Sequence, residues 1–580
     1  MFGKVLVANR GEIAIRVFRA LRELGVGSVA VYSETDRGAL HPARADEAYL
    51  LPGGYLDVEG LLDVARRAGA EAVHPGYGFL AENAAFARAC EDAGLVFIGP
   101  PASAIEAMGS KTRARELMAA AGVPIVPGTT APVPDLAAAR EAAERIGYPV
   151  AVKAAGGGGG KGFRVALGPD ELQAAFEGAS GEGERFFSDP TVYLERYLPD
   201  PRHVEVQVLA DAHGTTIHLG ERDCSIQRRH QKLVEEAPAP VVDAPLRERI
   251  GRIATEAAEA VGYRGAGTIE GLLQDGEYFF LEMNTRVQVE HCVTEMVTGI
   301  DIVREGIRIA AGEPLSVRQQ DVALRGHAIE CRINAEDAAR GFAPAPGRIG
   351  GYREPSGPGV RVDSGVEAGG TIPPDYDPMI AKLIVWDTDR ERATARMLRA
   401  LAEYEIGGIP TLLPFHRALL ATPQWAQAQT CRDLLDNDDW LRATASDTGQ
   451  QEAPEAPETI AQDYTVEVSG RRYDVKVIGP PPAAANGTAA ARRPPRRARA
   501  GGGTSAAGGD ALVSPMQGTV LRVAVEPGDT VEQGALIAVV EAMKMENEIT
   551  AHKPGTVAEL PIEAGNAVAS GDTLAVITDA

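Results

Sequence analysis

Two predicted strands, residues 268–273 and 278–284, flank the dipeptide Asp275-Gly276. Asp-Gly is typical of a hairpin turn, so we expect the two strands to pair antiparallel. Side chains alternate along a strand, which gives Glu282 and Asn284 a common face. Carboxylate and amide oxygens are ligands that Mg²⁺ accepts beside nucleotide phosphates. The spacing therefore predicts a metal site on this face.

Glu270 joins that face if it lies opposite Glu282. This register needs an odd loop such as residues 275–277, because a two-residue loop would send the two carboxylates to opposite faces. We predict the odd loop. Isolated glutamates on strands usually face water, but two of them beside Asn284 and Arg286 favour a site.

A run of glycines ending in a lysine and a glycine, residues 156–162, stands between predicted strands 149–153 and 163–166. Glycine lets backbone N–H groups approach a phosphate closely. Composition alone would also permit a linker, but the position between two strands favours a phosphate-covering loop. A Walker A loop is excluded, because Ala155 and Gly162 replace its first glycine and its Ser/Thr. The glycines that we expect to cover the phosphates are Gly157, Gly158, Gly159 and Gly160.

Lys544 stands between two methionines near the C-terminus, at the centre of a repeat. Gly518-Thr519-Val520 returns 37 positions later as Gly555-Thr556-Val557. Each copy is a set of short aliphatic runs broken by glycine turns, so the copies should pack as matching halves of a small β-sandwich. A lysine at their junction is a candidate for covalent modification, and the alternative is an unmodified surface loop.

The elements that position these residues form an α/β multidomain chain. Strands alternate with helices from Met1 to about residue 110, which predicts a doubly wound parallel sheet. A second α/β region follows, and then a third, α+β region. The length suggests about three to five domains. The predicted boundaries are 1–112, 113–325, 326–445, a linker at 446–510 and an all-β flattened sandwich at 511–580.

The linker is rich in Ala, Pro, Glu, Arg and Gly and contains one predicted β-hairpin, residues 464–477. Its five arginines interleaved with prolines resemble a solvated spacer more than a patch for nucleic acid or membrane. A long tether would let Lys544 visit more than one docking site.

Charge and cysteine usage exclude several classes of protein. The net charge of −23 disfavours nucleic acid as a partner and favours a soluble particle. Neither a signal peptide nor an apolar run of spanning length is present, so we expect a cytoplasmic protein without membrane contact. The five cysteines are scattered and lack Cys-x-x-Cys spacing, which implies neither a disulfide framework nor a zinc site.

Five motifs resemble those of biotin carboxylase, an ATP-grasp enzyme, over residues 1 to 440. They are ANRGE (8–12), HPGYG (74–78), ERDCSIQRRHQK (221–232), EMNTRVQVEH (282–291) and ECRIN (330–334). Ala-Met-Lys-Met at 542–545 resembles the attachment sequence of biotinyl carrier domains. Together they resemble the α subunit of a bacterial acyl-CoA carboxylase.

The resemblance implies a role for each matching residue. ATP phosphates would be held by Lys111, Lys153, His203 and the glycine loop, adenine by Glu195 and Leu198, and ribose by Gln227 and His230. Mg²⁺, or Mn²⁺ in its place, would bind Glu270 and Glu282 with Asn284 nearby. Bicarbonate would be held by Lys232, Arg286, Gln288 and the backbone of Val289. Glu290 would deprotonate bicarbonate, Arg332 would stabilise the biotin enolate, and Lys544 would carry biotin.

The implied reaction is the ATP-dependent carboxylation of carrier-bound biotin with bicarbonate. A separate carboxyltransferase β subunit would then carboxylate acetyl-CoA or propionyl-CoA. Biotin protein ligase is a further implied partner, and a homo-oligomer through the carboxylase domain is expected.

Two departures from the family pattern stand out. Cys292 follows Glu290-His291 where many relatives have proline. We expect this difference to have no effect on function, because the Cys side chain is small and has none of the implied roles. Longer α subunits also carry a docking domain before the carrier, whereas here a short hairpin and linkers intervene.

Two alternatives remain open. One is an ATP-grasp ligase fused to a lipoyl carrier, which shares the carrier fold and usually flanks its lysine with Asp and Ala. The other is an inert biotin scaffold without ligase activity. The mass added to Lys544 distinguishes the lipoyl carrier from a biotinyl carrier. Bicarbonate-dependent ATP turnover distinguishes an active carboxylase from the inert scaffold.

Overall fold

The computed structural model describes residues 1–109, 111–129, 131–154, 162–187, 190–444, 460–468, 471–479, 511–514, 518–542, 545–562, 567–568 and 572–578. It divides into two compact units, the first formed by residues 1–373 with 378–451 and the second by 374–377 with 452–580. No helix in the described part of the chain is long and apolar enough to cross a membrane.

The first unit begins with a five-stranded parallel sheet of order β3-β2-β1-β4-β5, as the alternation of strands and helices predicts. Buried aliphatic side chains of β1, α1 and β4 form its core. The strands are β1 (Lys4–Val7), β2 (Gly27–Tyr32), β3 (Glu47–Leu50), β4 (Ala72–His74) and β5 (Val96–Phe97), and the helices are α1 (Gly11–Glu23), α2 (Val58–Ala68), α3 (Ala84–Asp92) and α4 (Ala102–Gly109), with a 3₁₀ turn at His41–Arg44.

A small lobe follows, in which β6 is the centre of a three-stranded antiparallel sheet. Its elements are α5 (Lys111–Ala120), α6 (Leu136–Ile146), β6 (Val150–Ala154), β7 (Phe163–Ala166), α7 (Leu172–Phe187) and β8 (Val192–Arg196). The predicted strands on both sides of the glycine run are therefore present and paired. The run itself, with Gly157, Gly158, Gly159 and Gly160, lies outside the described residues.

One eight-stranded antiparallel sheet forms the centre of the first unit, in the order β13-β12-β9-β10-β11-β14-β21-β19. Its first part comprises β9 (Arg202–Ala210), β10 (Thr216–Arg228), β11 (Gln231–Ala237), β12 (Gly265–Gln274) and β13 (Glu277–Asn284), with helices α8 (Ala244–Ala260), α9 (His291–Thr298) and α10 (Ile302–Ala310). β11 pairs with β14 (His327–Asn334), so the sheet continues past residue 325, where the sequence predicts a domain boundary.

The rest of the first unit adds short strands and helices around β14 and β21. The strands are β15 (Glu336–Asp337), β16 (Ala343–Pro344), β17 (Gly347–Arg348), β18 (Tyr352–Arg353), β19 (Val360–Ser364), β20 (Thr371–Ile372), β21 (Met379–Asp387) and β22 (Glu405–Ile406). The helices are α11 (Arg390–Glu403), α12 (Leu413–Leu420), α13 (Pro423–Ala426), α14 (Arg432–Leu435) and α15 (Asp438–Ala443), with 3₁₀ turns at Gln319–Asp321 and Ala338–Arg340.

The second unit contains a hairpin and two four-stranded sheets. The hairpin pairs β23 (Ile460–Val468) with β24 (Arg471–Gly479), which confirms the hairpin predicted at residues 464–477. The sheets have the orders β25-β32-β30-β27 and β29-β28-β26-β31. Their strands are β25 (Ala511–Val513), β26 (Gly518–Val523), β27 (Thr530–Val531), β28 (Leu536–Ala542), β29 (Met545–Thr550), β30 (Gly555–Glu559), β31 (Ala567–Val568) and β32 (Thr573–Thr578).

The internal repeat explains this topology. β26, with β28 beside it, corresponds to β30, with β32 beside it, and each copy places its short strand, β27 or β31, in the sheet of the other copy. Equivalent side chains such as Val520 and Val557 meet in one buried core. The predicted matching halves are confirmed. β28 and β29 pair with Ala542 opposite Met545, and Lys544 between them lies outside the described residues.

Candidate active site

The hairpin that carries the predicted metal ligands has a two-residue turn. Asp275 and Gly276 both have positive φ angles, 52° and 77°, which is the type I′ geometry of tight hairpins. Glu270 nevertheless lies opposite Glu282, as predicted. The predicted odd loop is wrong, because the register is corrected further along the hairpin, where an irregularity next to Leu281 inserts one extra residue into β13.

This bulge decides which face Glu282 occupies. Tyr278, Phe280 and Met283 all lie in the apolar core beneath the sheet, so strict alternation is interrupted between 280 and 283. Without the extra residue, Glu282 would follow Tyr278 and Phe280 into that core. The bulge therefore places Glu282 on the face of Glu270. Two carboxylates on one face form an oxygen donor set that fits Mg²⁺.

Lys232 is the centre of the site. Its Nζ donates to three carboxylates: Glu205 Oε2 at 2.6 Å, Glu270 Oε1 at 2.8 Å and Glu290 Oε1 at 2.6 Å. Burial alone would lower the pKa of Lys232, but the three carboxylates raise it well above its usual value. Lys232 is therefore a permanent cation that holds these carboxylates together.

Glu290, at the start of α9, is held between two cations. Its Oε1 accepts from Lys232 and its Oε2 accepts from Arg332 Nη2 at 2.9 Å. Burial raises the pKa of Glu290, but the attraction of Lys232 and Arg332 outweighs it and lowers the pKa to about 2. Arg332 also donates through Nε to Glu235 Oε1 at 2.6 Å, which fixes the guanidinium against the sheet.

The segment between β13 and α9 is tied down by side chains from other elements. Gln288 Nε2 donates to Glu270 Oε1 at 2.6 Å. Arg286 donates to Glu82 Oε2 at 3.0 Å and to Asn284 Oδ1 at 2.8 Å. Lys232 and Gln288 thus both contact Glu270, and Arg286 contacts Asn284. Burial lowers the pKa of Arg286, but the charges of Glu82, Glu290 and Glu270 raise it above its usual value.

A buried arginine underlies this cluster. Arg222 is fully buried and donates to Glu205 Oε1 at 2.5 Å and to Gln288 Oε1 at 2.7 Å. Its remaining donors bind Gln207, Thr268 and Thr294. These five hydrogen bonds use all five N–H donors of the guanidinium. Arg222 is therefore fixed in place, and its hydrogen bonds orient Glu205 and Gln288.

The predicted nucleotide residues lie in the small lobe and on the neighbouring strands. Lys153 on β6 contacts Glu195 on β8, with 2.5 Å between Nζ and Oε2. Arg115 contacts the other oxygen of Glu195 at 3.1 Å. His203 Nε2 lies 3.0 Å from Glu270 Oε2, and this carboxylate raises the pKa of His203 to about 9 against the lowering effect of burial.

The other predicted residues are placed but less closely connected. Gln227 donates to the carbonyl of Cys224 at 2.7 Å. His230 lies in the turn between β10 and β11 with a φ of 67°, and Leu198 is half-buried between β8 and β9. Lys111 begins α5, but its side chain, like Lys544, lies outside the described residues.

Five residues described above were absent from the sequence prediction: Glu82, Arg115, Glu205, Arg222 and Glu235. Glu205 was accessible to sequence reasoning, because it follows His203 by two residues on β9 and so shares its face. Glu82 and Glu235 reach the site by tertiary contacts with Arg286 and Arg332, for which the local sequence carries no signal.

Four family profiles match the chain. They are described as the biotin carboxylase N-terminal domain (residues 1–105), the carbamoyl-phosphate synthase L chain ATP-binding domain (110–318), the biotin carboxylase C-terminal domain (330–437) and a biotin-requiring enzyme domain (510–577).

Close relatives cover most of the chain. A pyruvate carboxylase subunit of Methanothermobacter thermautotrophicus is 55% identical over 441 residues, 75% of this chain and 90% of the relative. The biotin-dependent acyl-coenzyme A carboxylase alpha3 subunit of Mycobacterium leprae is 47% identical over 568 residues, 95% of this chain and 94% of the relative.

A solved structure has the same fold. The biotin carboxylase domain dimer of the Hydrogenobacter thermophilus 2-oxoglutarate carboxylase, in complex with MgADP, ADP and bicarbonate, matches with a TM-score of 0.70 and 49% identity over 76% of this chain and 99% of that one. ATP, Mg²⁺ and biotin are accordingly the cofactors of this enzyme. The chain belongs to the biotin carboxylase family and joins the carboxylase domains to a C-terminal biotin-lipoyl domain in one polypeptide.

Proposed function

We propose that the chain is the α subunit of an acyl-CoA carboxylase. It carboxylates biotin on its own carrier domain, and a separate carboxyltransferase subunit transfers the carboxyl group to acetyl-CoA or propionyl-CoA. The observation that carries this proposal is the match to the M. leprae alpha3 subunit, which extends over 95% of the chain and so includes the carrier.

The proposed chemistry needs cations around two anions. Bicarbonate is a poor electrophile, so ATP must phosphorylate it, and positive groups must offset the charges of phosphate and bicarbonate together. Lys232, Arg286, Gln288 and the Val289 backbone would hold bicarbonate. Glu290, ionised in its contact with Lys232, would accept the bicarbonate proton. Bound bicarbonate would also contact the Lys232 ammonium, which would then stabilise the Glu290 carboxylate less. The pKa of Glu290 would therefore rise towards the pH at which the enzyme works.

Other residues would serve the nucleotide and the cofactors. Mg²⁺ at Glu270 and Glu282, with Asn284 nearby, would offset phosphate charge. ATP phosphates would contact Lys111, Lys153, His203 and the glycine loop, adenine would contact Glu195 and Leu198, and ribose would contact Gln227 and His230. Biotin on Lys544 would supply the nitrogen that receives the carboxyl group, with Arg332 beside it.

Further partners belong to the same proposal. Biotin protein ligase would modify Lys544. A homo-oligomer through the carboxylase domain is supported by the dimer named for the H. thermophilus structure. The division of the chain at residues 112, 325, 445 and 510 is also part of the proposal.

A second candidate acceptor is pyruvate. The 55% identity to the M. thermautotrophicus pyruvate carboxylase protein favours it, although that match spans 75% of this chain and not the 95% of the acyl-CoA relative. The acceptor would bind to the partner subunit, so the carboxylase residues do not distinguish the two.

The test is co-purification of the full chain with its carboxyltransferase, followed by assays with acetyl-CoA, propionyl-CoA and pyruvate. Carboxylation of an acyl-CoA, lost in the Arg332→Ala variant, supports the proposal. Carboxylation of pyruvate alone would replace the acyl-CoA assignment by the second candidate. A wild-type chain without bicarbonate-dependent ATP turnover would contradict both.

A further inference from the structure

Lys382 is a lysine without any exposed surface, on β21. It was not predicted as a site residue. Burial of an ammonium group is strongly unfavourable unless the group is paired and hydrogen-bonded. The groups that compensate for the burial of Lys382 are the backbone carbonyl of Val289 and side chains of α1, α9 and β19.

The shortest of these contacts is to the backbone. Lys382 Nζ donates to the carbonyl of Val289 at 2.8 Å. That carbonyl and the N–H of Glu290 belong to one planar peptide unit. Fixing the carbonyl therefore fixes the orientation of the peptide that connects a proposed bicarbonate contact to the proposed base.

Three further groups surround the ammonium, and the most distant of them is Asp363, whose Oδ2 lies 3.9 Å from Nζ. Nζ lies 3.3 Å from Glu12 Oε1 at the start of α1 and donates to Cys292 Sγ at 3.1 Å in α9. Cys292 in turn donates to Asp363 Oδ2 at 3.3 Å. The ammonium is thus held by contacts on several sides, and its position relative to Val289 is well defined.

The sheet places Lys382 beside Arg332. The two residues are directly opposite in the antiparallel ladder of β14 and β21, so their side chains leave the same face. Arg332 binds the carboxylate of Glu290, and Lys382 binds the carbonyl that precedes it. Two cations on adjacent strands therefore hold two consecutive residues, Arg332 the side chain of Glu290 and Lys382 the backbone carbonyl of Val289.

From this geometry we infer that Lys382 is a positioning residue for bicarbonate, acting through the Val289–Glu290 peptide. The inference rests on the proposed function, in which the Val289 backbone and Glu290 meet bicarbonate. Loss of Lys382 should therefore weaken the use of bicarbonate specifically, because Lys382 contacts none of the proposed nucleotide residues within the described part of the chain.

The test measures bicarbonate-dependent ATP turnover of the full-length chain and its Lys382→Met variant. We expect the KM for bicarbonate to rise about tenfold and the KM for ATP to stay within twofold. A purely structural role would lower the amount of active enzyme and leave both KM values unchanged. Lys382→Arg, which keeps a positive donor, should lie between wild type and Lys382→Met in its KM for bicarbonate.

Arg390→Met is the matched control. Arg390 also pairs with a buried carboxylate, Glu236, with 2.7 Å between Nε and Oε2, but within the described residues it contacts none of the proposed substrate residues. This variant should leave the KM for bicarbonate within twofold of wild type, which separates loss of a buried ion pair from loss of positioning.

The double variant Glu12→Gln/Lys382→Met applies where Lys382→Met does not fold, because it removes two opposite charges together and leaves fewer unpaired buried ions. Its KM for bicarbonate should stay raised. An unchanged KM for bicarbonate in the folded variant would overturn the positioning role while wild-type turnover still depends on bicarbonate. Absence of that dependence in the wild type would instead refute the proposed function.

Discussion

The ammonium of Lys232 lies 2.6 Å from Oε1 of Glu290, so the proposed base forms an ion pair. An ion-paired carboxylate is ionised but weakly basic, as the lowered pKa of Glu290 expresses. Bicarbonate, an anion, would compete with Glu290 for the same ammonium. In the proposed mechanism, bicarbonate binding and activation of the base would therefore be coupled through the side chain of Lys232.

Replacement of Glu290 by Gln should remove the base and keep the size of the side chain. We expect bicarbonate-dependent ATP turnover to fall by about 10²–10⁴-fold, the usual contribution of general acid–base catalysis. The exposed Glu59 on α2 offers a control, and Glu59→Gln should retain the wild-type rate. Turnover of Glu290→Gln at the wild-type rate would remove Glu290 from the mechanism.

Removal of Lys232 should destabilise the fold far more than removal of a surface lysine. Lys232→Met leaves three neighbouring carboxylates without their common cation, which costs about 3–5 kcal/mol for a broken buried pair. Lys4 contacts Glu47 at the same distance, 2.6 Å, but both side chains are partly exposed, so Lys4→Met should cost about 0–1 kcal/mol. Denaturant unfolding of both variants measures the difference, and equal losses would contradict the central role of Lys232.

The opposed pair Glu270 and Glu282 predicts a specific metal phenotype. Glu282→Gln should raise the Mg²⁺ concentration needed for half-maximal turnover by about tenfold, because one anionic oxygen ligand is lost. Glu277→Gln, on the same strand but exposed beside the turn, should leave the Mg²⁺ requirement unchanged. A Mg²⁺ titration at saturating ATP measures both variants. Identical requirements would place the metal elsewhere.

His203 should give the protein a pH-dependent stability on the alkaline side. Its folded pKa is raised to about 9 from the ordinary value of 6.5, with burial opposing and Glu270 dominating the shift. The stabilisation is therefore complete below pH 6.5 and is lost as the pH rises through 9. The difference in Tm between the nucleotide-free wild type and His203→Gln should shrink from pH 7 to pH 9.5.

His74 provides the comparison for that measurement. Burial and the charge of Arg16 lower its pKa to about 3, so it stays neutral in the folded protein over this range. The Tm difference between wild type and His74→Gln should be constant from pH 7.5 to pH 9.5. If the Tm difference of both variants changed with pH in the same way, a group other than His203 would cause the loss of stability at alkaline pH.

Local patterns predicted the secondary structure and the common face of Glu270 and Glu282, but not how that face is built. The sequence prediction paired Glu270 with Glu282 through an odd loop, whereas the structure reaches this pairing through a bulge beside Leu281, which depends on Phe280 and Met283 both packing into the core. Alternation alone cannot show such a departure, because it is decided by tertiary packing. The pairing of β11 with β14 was missed for the same reason, since about 90 residues of intervening chain separate the two strands.

The two copies of the carrier repeat enclose a core in which Val520 and Val557 occupy equivalent positions, and the strands on either side of Lys544 pair up to Ala542 and Met545. Lys544→Arg should therefore keep the fold and lose the added mass of biotin, which intact-protein mass spectrometry detects. Lys553→Arg, in the same domain, should keep it. With the lysine gone, ATP turnover supported by free biotin should persist while carboxylation of the acceptor stops, because the carboxyl group would no longer be carried between the two active sites. A wild-type chain that carries lipoate, or no group at all, on Lys544 would refute the assignment of the carrier.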